Sequence, residues 1–103
     1  EQMAQNALVM GELFRSELQK LELPLIKTIR GRGLLNAIVI DHRDPEAAWN
    51  LCLLMKENGL LAKPTHGDKI RFAPPLVITK EQVMECVDII RRSVETFVLN
   101  DVN

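Results

Sequence analysis

The chain is 103 residues long, one domain's worth, and its 47% hydrophobic and 26% charged content is ordinary for a folded domain with a single modest core. A net charge of −1 gives no electrostatic reason to expect nucleic acid or an anionic membrane as partner, and no apolar run approaches the roughly 18–20 residues that span a bilayer. Cys52 and Cys86 match no disulfide framework or metal-ligand spacing, and both read as reduced thiols on apolar helix faces.

Helical periodicity runs from the first residues. Met3, Ala7, Met10, Phe14, Leu18 and Leu21 form one stripe, which predicts a helix from about residue 2 to Leu21, halted ahead of Pro24. No capping residue, initiator methionine or signal peptide precedes it, so the chain is expected to be a piece of a longer protein. Leu25–Ile29 and Leu34–Ile40 read as strands, with Arg30-Gly31-Arg32-Gly33 between them as a hairpin turn or bulge. The second strand is apolar on both faces except at Asn36, which predicts a central strand covered on both sides.

Asp44-Pro45-Glu46 is a strong helix start, with Asp44 placed to cap, Pro45 in the first helical position and Glu46 favouring the positive end of the dipole. That helix is expected to reach Glu57 or Asn58 and stop at Gly59. Leu60–Lys63 and Lys69–Ala73 read as a second strand pair around a Pro64–Asp68 turn. Thr79 and Gln82 form a capping box for a last helix, whose stripe is Val83, Val87, Ile90, Val94 and Phe97. The polar residues 100–103 are expected to fray. The order α-β-β-α-β-β-α predicts a small α+β sandwich, an antiparallel sheet with helices on one face.

Catalytic constellations are nearly absent. Gly31-x-Gly33 lies between strands and lacks the third glycine of a phosphate loop. His42 and His66 sit apart in loops, away from metal-ligand spacing. Ser16 and Ser93 lie on helices without an evident base, and no lysine shows the apolar enclosure that would lower its pKa. Arg71 is the exception. Strand alternation turns Ile70 and Phe72 to one face and Lys69, Arg71 and Ala73 to the other. There the guanidinium either grips a carboxylate through two parallel hydrogen bonds or pairs and snorkels at the surface. Pro74-Pro75 stiffens the exit of its strand.

Three runs carry a resemblance: Arg30-Gly31-Arg32-Gly33-Leu34-Leu35-Asn36-Ala37-Ile38, Gly59-Leu60-Leu61-Ala62-Lys63-Pro64-Thr65-His66-Gly67-Asp68, and Ile70-Arg71-Phe72-Ala73-Pro74-Pro75-Leu76. Together they resemble the C-terminal segment of the ornithine aminotransferase branch of the class III, pyridoxal-phosphate-dependent aminotransferases. The Arg-x-x-Pro-Pro-Leu core is similar to the wider class, including the acetylornithine and 4-aminobutyrate enzymes.

The resemblance implies a fold-type-I homodimer or higher homo-oligomer. Residues 1–103 would be its C-terminal small domain, residues 1–22 a connecting helix, and a large cofactor-binding domain of the same chain the cover of the sheet. It implies transfer of the δ-amino group of ornithine to 2-oxoglutarate, giving glutamate semialdehyde and glutamate, with Arg71 holding a substrate carboxylate. Lys63, Thr65 and His66 are candidates for the site entrance. Pyridoxal phosphate would be the parent's cofactor, while this chain holds no catalytic, cofactor-binding or metal-binding residue and would be inactive alone. The resemblance implies a mitochondrial or cytoplasmic enzyme, any targeting segment lying upstream. Two alternatives stand beside it: another class III aminotransferase with a different amino donor, or a non-catalytic α+β module that binds small ligands or a protein.

Overall fold

The computed structural model describes residues 2–33, 35–65, 68–72 and 78–101. Helix α1 spans Gln2–Lys20. Ala7, Phe14 and Leu18 of its expected stripe are buried, while Met10 and Leu21 pack at the edge of the core. Ahead of Pro24 the helix tightens before it stops: Leu21 N–H donates to Leu18 O at 3.2 Å and Glu22 N–H to Gln19 O at 3.1 Å, three-residue bonds typical of a helix end.

Strands β1 (Ile26–Arg32) and β2 (Leu35–Ile40) form an antiparallel hairpin. The expected turn over residues 30–33 is therefore corrected. Arg30, Gly31 and Arg32 stay in the strand, opposite Ala37, Asn36 and Leu35, and Gly33 starts the reversal with φ +57°. Gly31 serves close approach instead of turning, since a Cβ there would meet Asn36 Oδ1 and lie 2.9 Å from Arg15 Nη1. The register shift of the hairpin falls between Ile26 and Thr28, away from the glycines.

Helix α2 is Ala47–Glu57, a residue or two later than the Pro45 start. Asp44 still organises the entry, because Glu46 N–H donates to its Oδ1 at 2.9 Å. The exit is as expected. Gly59 has φ +98°, and Leu60 N–H reaches Met55 O at 2.8 Å while Gly59 N–H reaches Lys56 O at 3.0 Å, a Schellman stop.

That stop also explains a shortened strand. With the Leu60 N–H taken by α2, β3 is only Lys63–Pro64, not Leu60–Lys63, and Pro64 confines it to a sheet edge. Strand β4 is Lys69–Phe72, and Ala73 lies outside the described residues. Helix α3 spans Lys80–Asp101. Its capping box is closed in both directions: Thr79 N–H donates to Gln82 Oε1 at 2.9 Å, and Gln82 N–H to Thr79 Oγ1 at 3.1 Å. The helix includes Asn100 and Asp101; Val102 and Asn103, the rest of the tail expected to fray, lie outside the described residues.

The four strands lie in the order β1-β2-β4-β3, all antiparallel. Ile29, Ile38, Ile70 and Pro64 fall in one row across them, and Ile38 and Ile70 are fully buried against the helices. Phe14 of α1 meets Phe72 of β4 edge-on, ring centres 5.6 Å apart. Val83, Val87, Ile90, Val94 and Phe97 of α3 complete the same core. The architecture is the expected small α+β sandwich. Strand β2 is internal, as expected, and the helices of this chain cover the face that carries Asn36, Ile38 and Ile40. On its other face Leu35 is 67% exposed and Ala37 partly exposed, while Val39 is buried; the cover expected for that face is the large cofactor-binding domain of the parent.

Candidate functional site

Sheet register, more than sequence proximity, assembles the site. Arg30 of β1 stands opposite Ala37 of β2, Ala37 opposite Arg71 of β4, and Arg71 opposite Lys63 of β3. Residues directly opposite share a face, so this row crosses the whole sheet one step along from the buried isoleucine row. Arg71 therefore emerges on the uncovered face while Ile70 and Phe72 are buried.

The three cations line a groove of about 520 Å³ together with Leu35, Leu61 and the small residues Gly31, Ala37 and Ala62. Leu35 and Leu61 are 67% and 78% exposed, and form apolar walls around a basic floor. Among the described residues no carboxylate lines the groove, and Arg30, Lys63 and Arg71 make no ion pair. Repulsion between exposed unit charges about 5–10 Å apart is only about 0.4–0.8 kcal/mol in a water-like dielectric. The row is thus sustainable without a counter-ion among the described residues.

Lys63 and Arg71 are brought together as direct cross-strand neighbours. Thr65 is not brought into the groove. It lies past the end of β3, where its N–H donates to Lys69 O at 2.8 Å. His66 lies outside the described residues. Arg30, which the sequence reading assigned to a turn, is the member it missed; only the β1–β2–β4 register reveals it.

A second missed feature supports the site from behind. Arg15 of α1 donates through Nη1 to Gly33 O at 3.0 Å and to Asn36 Oδ1 at 2.6 Å. It ties the helix to the hairpin that carries Arg30. Asn36 is 3% exposed, and its Nδ2 is a buried donor without a partner.

The remaining candidates have structural settings. Asp44 N–H donates to His42 Nδ1 at 3.0 Å, and the His42 ring packs edge-on against Phe97 at 5.2 Å. Ser93 is fully buried and accepts from Asn58 Nδ2 at 3.2 Å. Cys52 is buried in α2, and that burial pushes its thiol up to about 11. Cys86 is half-buried, and burial first, then the Glu85 charge, raises its thiol. Both cysteines are free. Among the described residues no three His, Cys, Asp or Glu side chains converge on a metal position.

Comparison with known proteins matches this arrangement to one family. The profile of Aminotransferase class-III matches residues 1–94. The "Ornithine aminotransferase, mitochondrial" of Drosophila melanogaster is 56% identical over 94 residues, covering 91% of this chain and 21% of that protein. Among solved structures, acetylornithine aminotransferase from Elizabethkingia anophelis is 56% identical over 92% of this chain and 26% of its own, with a TM-score of 0.86. Ornithine aminotransferase from Plasmodium yoelii is 37% identical over 93% of this chain and 26% of its own, with a TM-score of 0.84. The chain spans about a fifth of the length of the curated relatives it matches. By a profile match over nearly its whole length, the chain belongs to the class-III aminotransferase family.

Proposed function

We propose that this chain is the C-terminal small domain of an ornithine δ-aminotransferase, with residues 1–22 as the helix connecting it to a large cofactor-binding domain. The parent transfers the δ-amino group of ornithine to 2-oxoglutarate, giving glutamate semialdehyde and glutamate. The observation that carries this reading is Arg71, an exposed arginine on the uncovered face of the sheet, in a chain 56% identical to an ornithine aminotransferase. Its rigid guanidinium fork suits bidentate recognition of a carboxylate, and apolar walls at Leu35 and Leu61 strengthen such a contact by excluding water. Lys63 lies beside it at the rim of the groove. Thr65 and His66 remain proposed entrance residues.

Pyridoxal phosphate would supply the electron sink of the reaction when bound to the parent. The residues of this chain do not fit its attachment. All six lysines (20, 27, 56, 63, 69 and 80) are exposed or half-exposed, so none has the enclosed amine that such chemistry requires. The attachment lysine is therefore assigned to the large domain, and this chain alone is expected to be inactive. The parent is read as a homodimer, for which sedimentation of the full-length enzyme is the check. The Drosophila melanogaster relative is named as mitochondrial. We place the parent in the mitochondrial matrix, with the cytoplasm as the alternative that imaging of the full-length protein would reveal.

In the full-length enzyme, Arg71→Ala is expected to raise KM for 2-oxoglutarate by about 10- to 100-fold, as loss of a charge-assisted pair implies, and KM for ornithine far less. Equal losses for both substrates, or no loss, would refute the assignment. The similarity to an acetylornithine aminotransferase favours one competing reading, a class III enzyme with an acylated donor. Donor assays with ornithine and N-acetylornithine on the intact enzyme separate the two. Family membership weighs against a free-standing binding module.

A further inference from the structure

The row on the open face contains more charge than one carboxylate anchor needs. Lys63 stands directly opposite Arg71, and Arg30 stands two strands away across Ala37. At strand spacings of about 4.8 Å these positions lie roughly 5 and 10 Å from Arg71, near or within a Debye length of about 8 Å at physiological salt. Among the described residues the groove they line contains no Asp or Glu, and none of the three cations is neutralised by an ion pair.

We propose that Arg30 and Lys63 are specificity-determining residues that sort the two substrates of this site by charge, favouring the dianionic 2-oxo acid and opposing the cationic diamino acid. The inference rests on the reading of Arg71 as the carboxylate anchor and extends it. At neutral pH a 2-oxo diacid carries two negative charges. A diamino acid carries one carboxylate and two ammonium groups, a net positive charge. One electrostatic field therefore acts with opposite sign on the two half-reactions. The walls formed by Leu35 and Leu61 sharpen that field, because charge lining a cleft with low-dielectric walls is focused into it. A lysine and an arginine that were merely solvated would produce no such opposition between substrates.

The test uses the full-length holoenzyme as wild type, Lys63→Arg, and the double variant Arg30→Gln/Lys63→Gln. It measures kcat/KM for each substrate at about 20 mM and about 200 mM salt. The double variant should lose about 5- to 20-fold in kcat/KM for the diacid at low salt, with a smaller loss at high salt, as steering by local charge requires. Its kcat/KM for the diamino acid should equal or exceed that of the wild type, and Lys63→Arg should keep wild-type discrimination. A parallel fall for both substrates, a loss independent of salt, or no change would overturn the proposal. Arg71→Ala in the same assay judges the anchor separately. If it behaves as an anchor while the double variant does not discriminate, only the charge sorting fails; if it affects both substrates alike, the anchor itself fails.

Discussion

Cys52 shows how burial alone sets the behaviour of a reactive group. It is 6% exposed, and its thiol is pushed up to about 11. Since the thiolate is the nucleophile, about one Cys52 in a thousand is ionised at pH 8, against about one in ten for a thiol at the ordinary value of 9.0. Alkylation of the folded chain at pH 8 should therefore label half-buried Cys86 first, and denaturant should make the two equal. Labelling of Cys52 first would contradict its packing. The same shift has a pH signature. A group whose folded pKa is raised contributes stability that is complete below its unfolded value, near 9, and lost as pH rises through about 11. Denaturation midpoints should fall over that window, and less so in Cys52→Ala. Asp88 has the opposite sign: hydrogen bonding from Arg91, together with the Arg91 and Arg92 charges, lowers its pKa. What that exposed cluster contributes is present above the ordinary 3.8 and is lost as pH falls.

At the level of elements, the contact of α1 with the β1–β2 hairpin depends on an absent side chain. Alanine for glycine inside a helix normally gains about 1 kcal/mol. At Gly11, however, an added Cβ would meet the Gly33 carbonyl, a backbone atom that cannot rotate away. Overpacking of this kind costs about 1–3 kcal/mol, and lifting the helix would also loosen the Arg15 bonds to Gly33 and Asn36. Gly11→Ala is therefore expected to lower the urea midpoint of the chain, whereas an unchanged or higher midpoint would show that the contact yields. A count of apolar spacing could not reveal this interface, because a glycine contributes nothing to a stripe. Helix α3 was legible for the opposite reason: its Thr79–Gln82 box and its Val83-to-Phe97 stripe act within one segment. Strand β1 was cut short in the sequence reading because Gly31 suggested a turn. Only the approach of Asn36 and Arg15 explains a glycine in mid-strand.

For the molecule as a whole, the face chosen by Arg71 was readable from period-two alternation, while Arg30 and the strand order β1-β2-β4-β3 were not. Pairing between distant segments has no local signature, and a single step of register would move every side chain to the other face. That register leaves Leu35 and Leu61 protruding around three cations, which makes self-association of the 103-residue chain a contest between two forces. Burying a leucine is worth about 1.5–3 kcal/mol, so two open faces have reason to meet. A two-fold contact would also oppose one Arg30–Arg71–Lys63 row to another, and that repulsion is screened as salt rises. The chain should therefore sediment as a monomer at about 20 mM salt and shift towards dimer at about 500 mM, where the Debye length falls below about 5 Å. Leu35→Lys with Leu61→Lys should keep it monomeric throughout. A monomer at every salt concentration would show that the apolar walls are too small to hold two copies together, and association weakening with salt would show that charge attraction, not leucine burial, drives it.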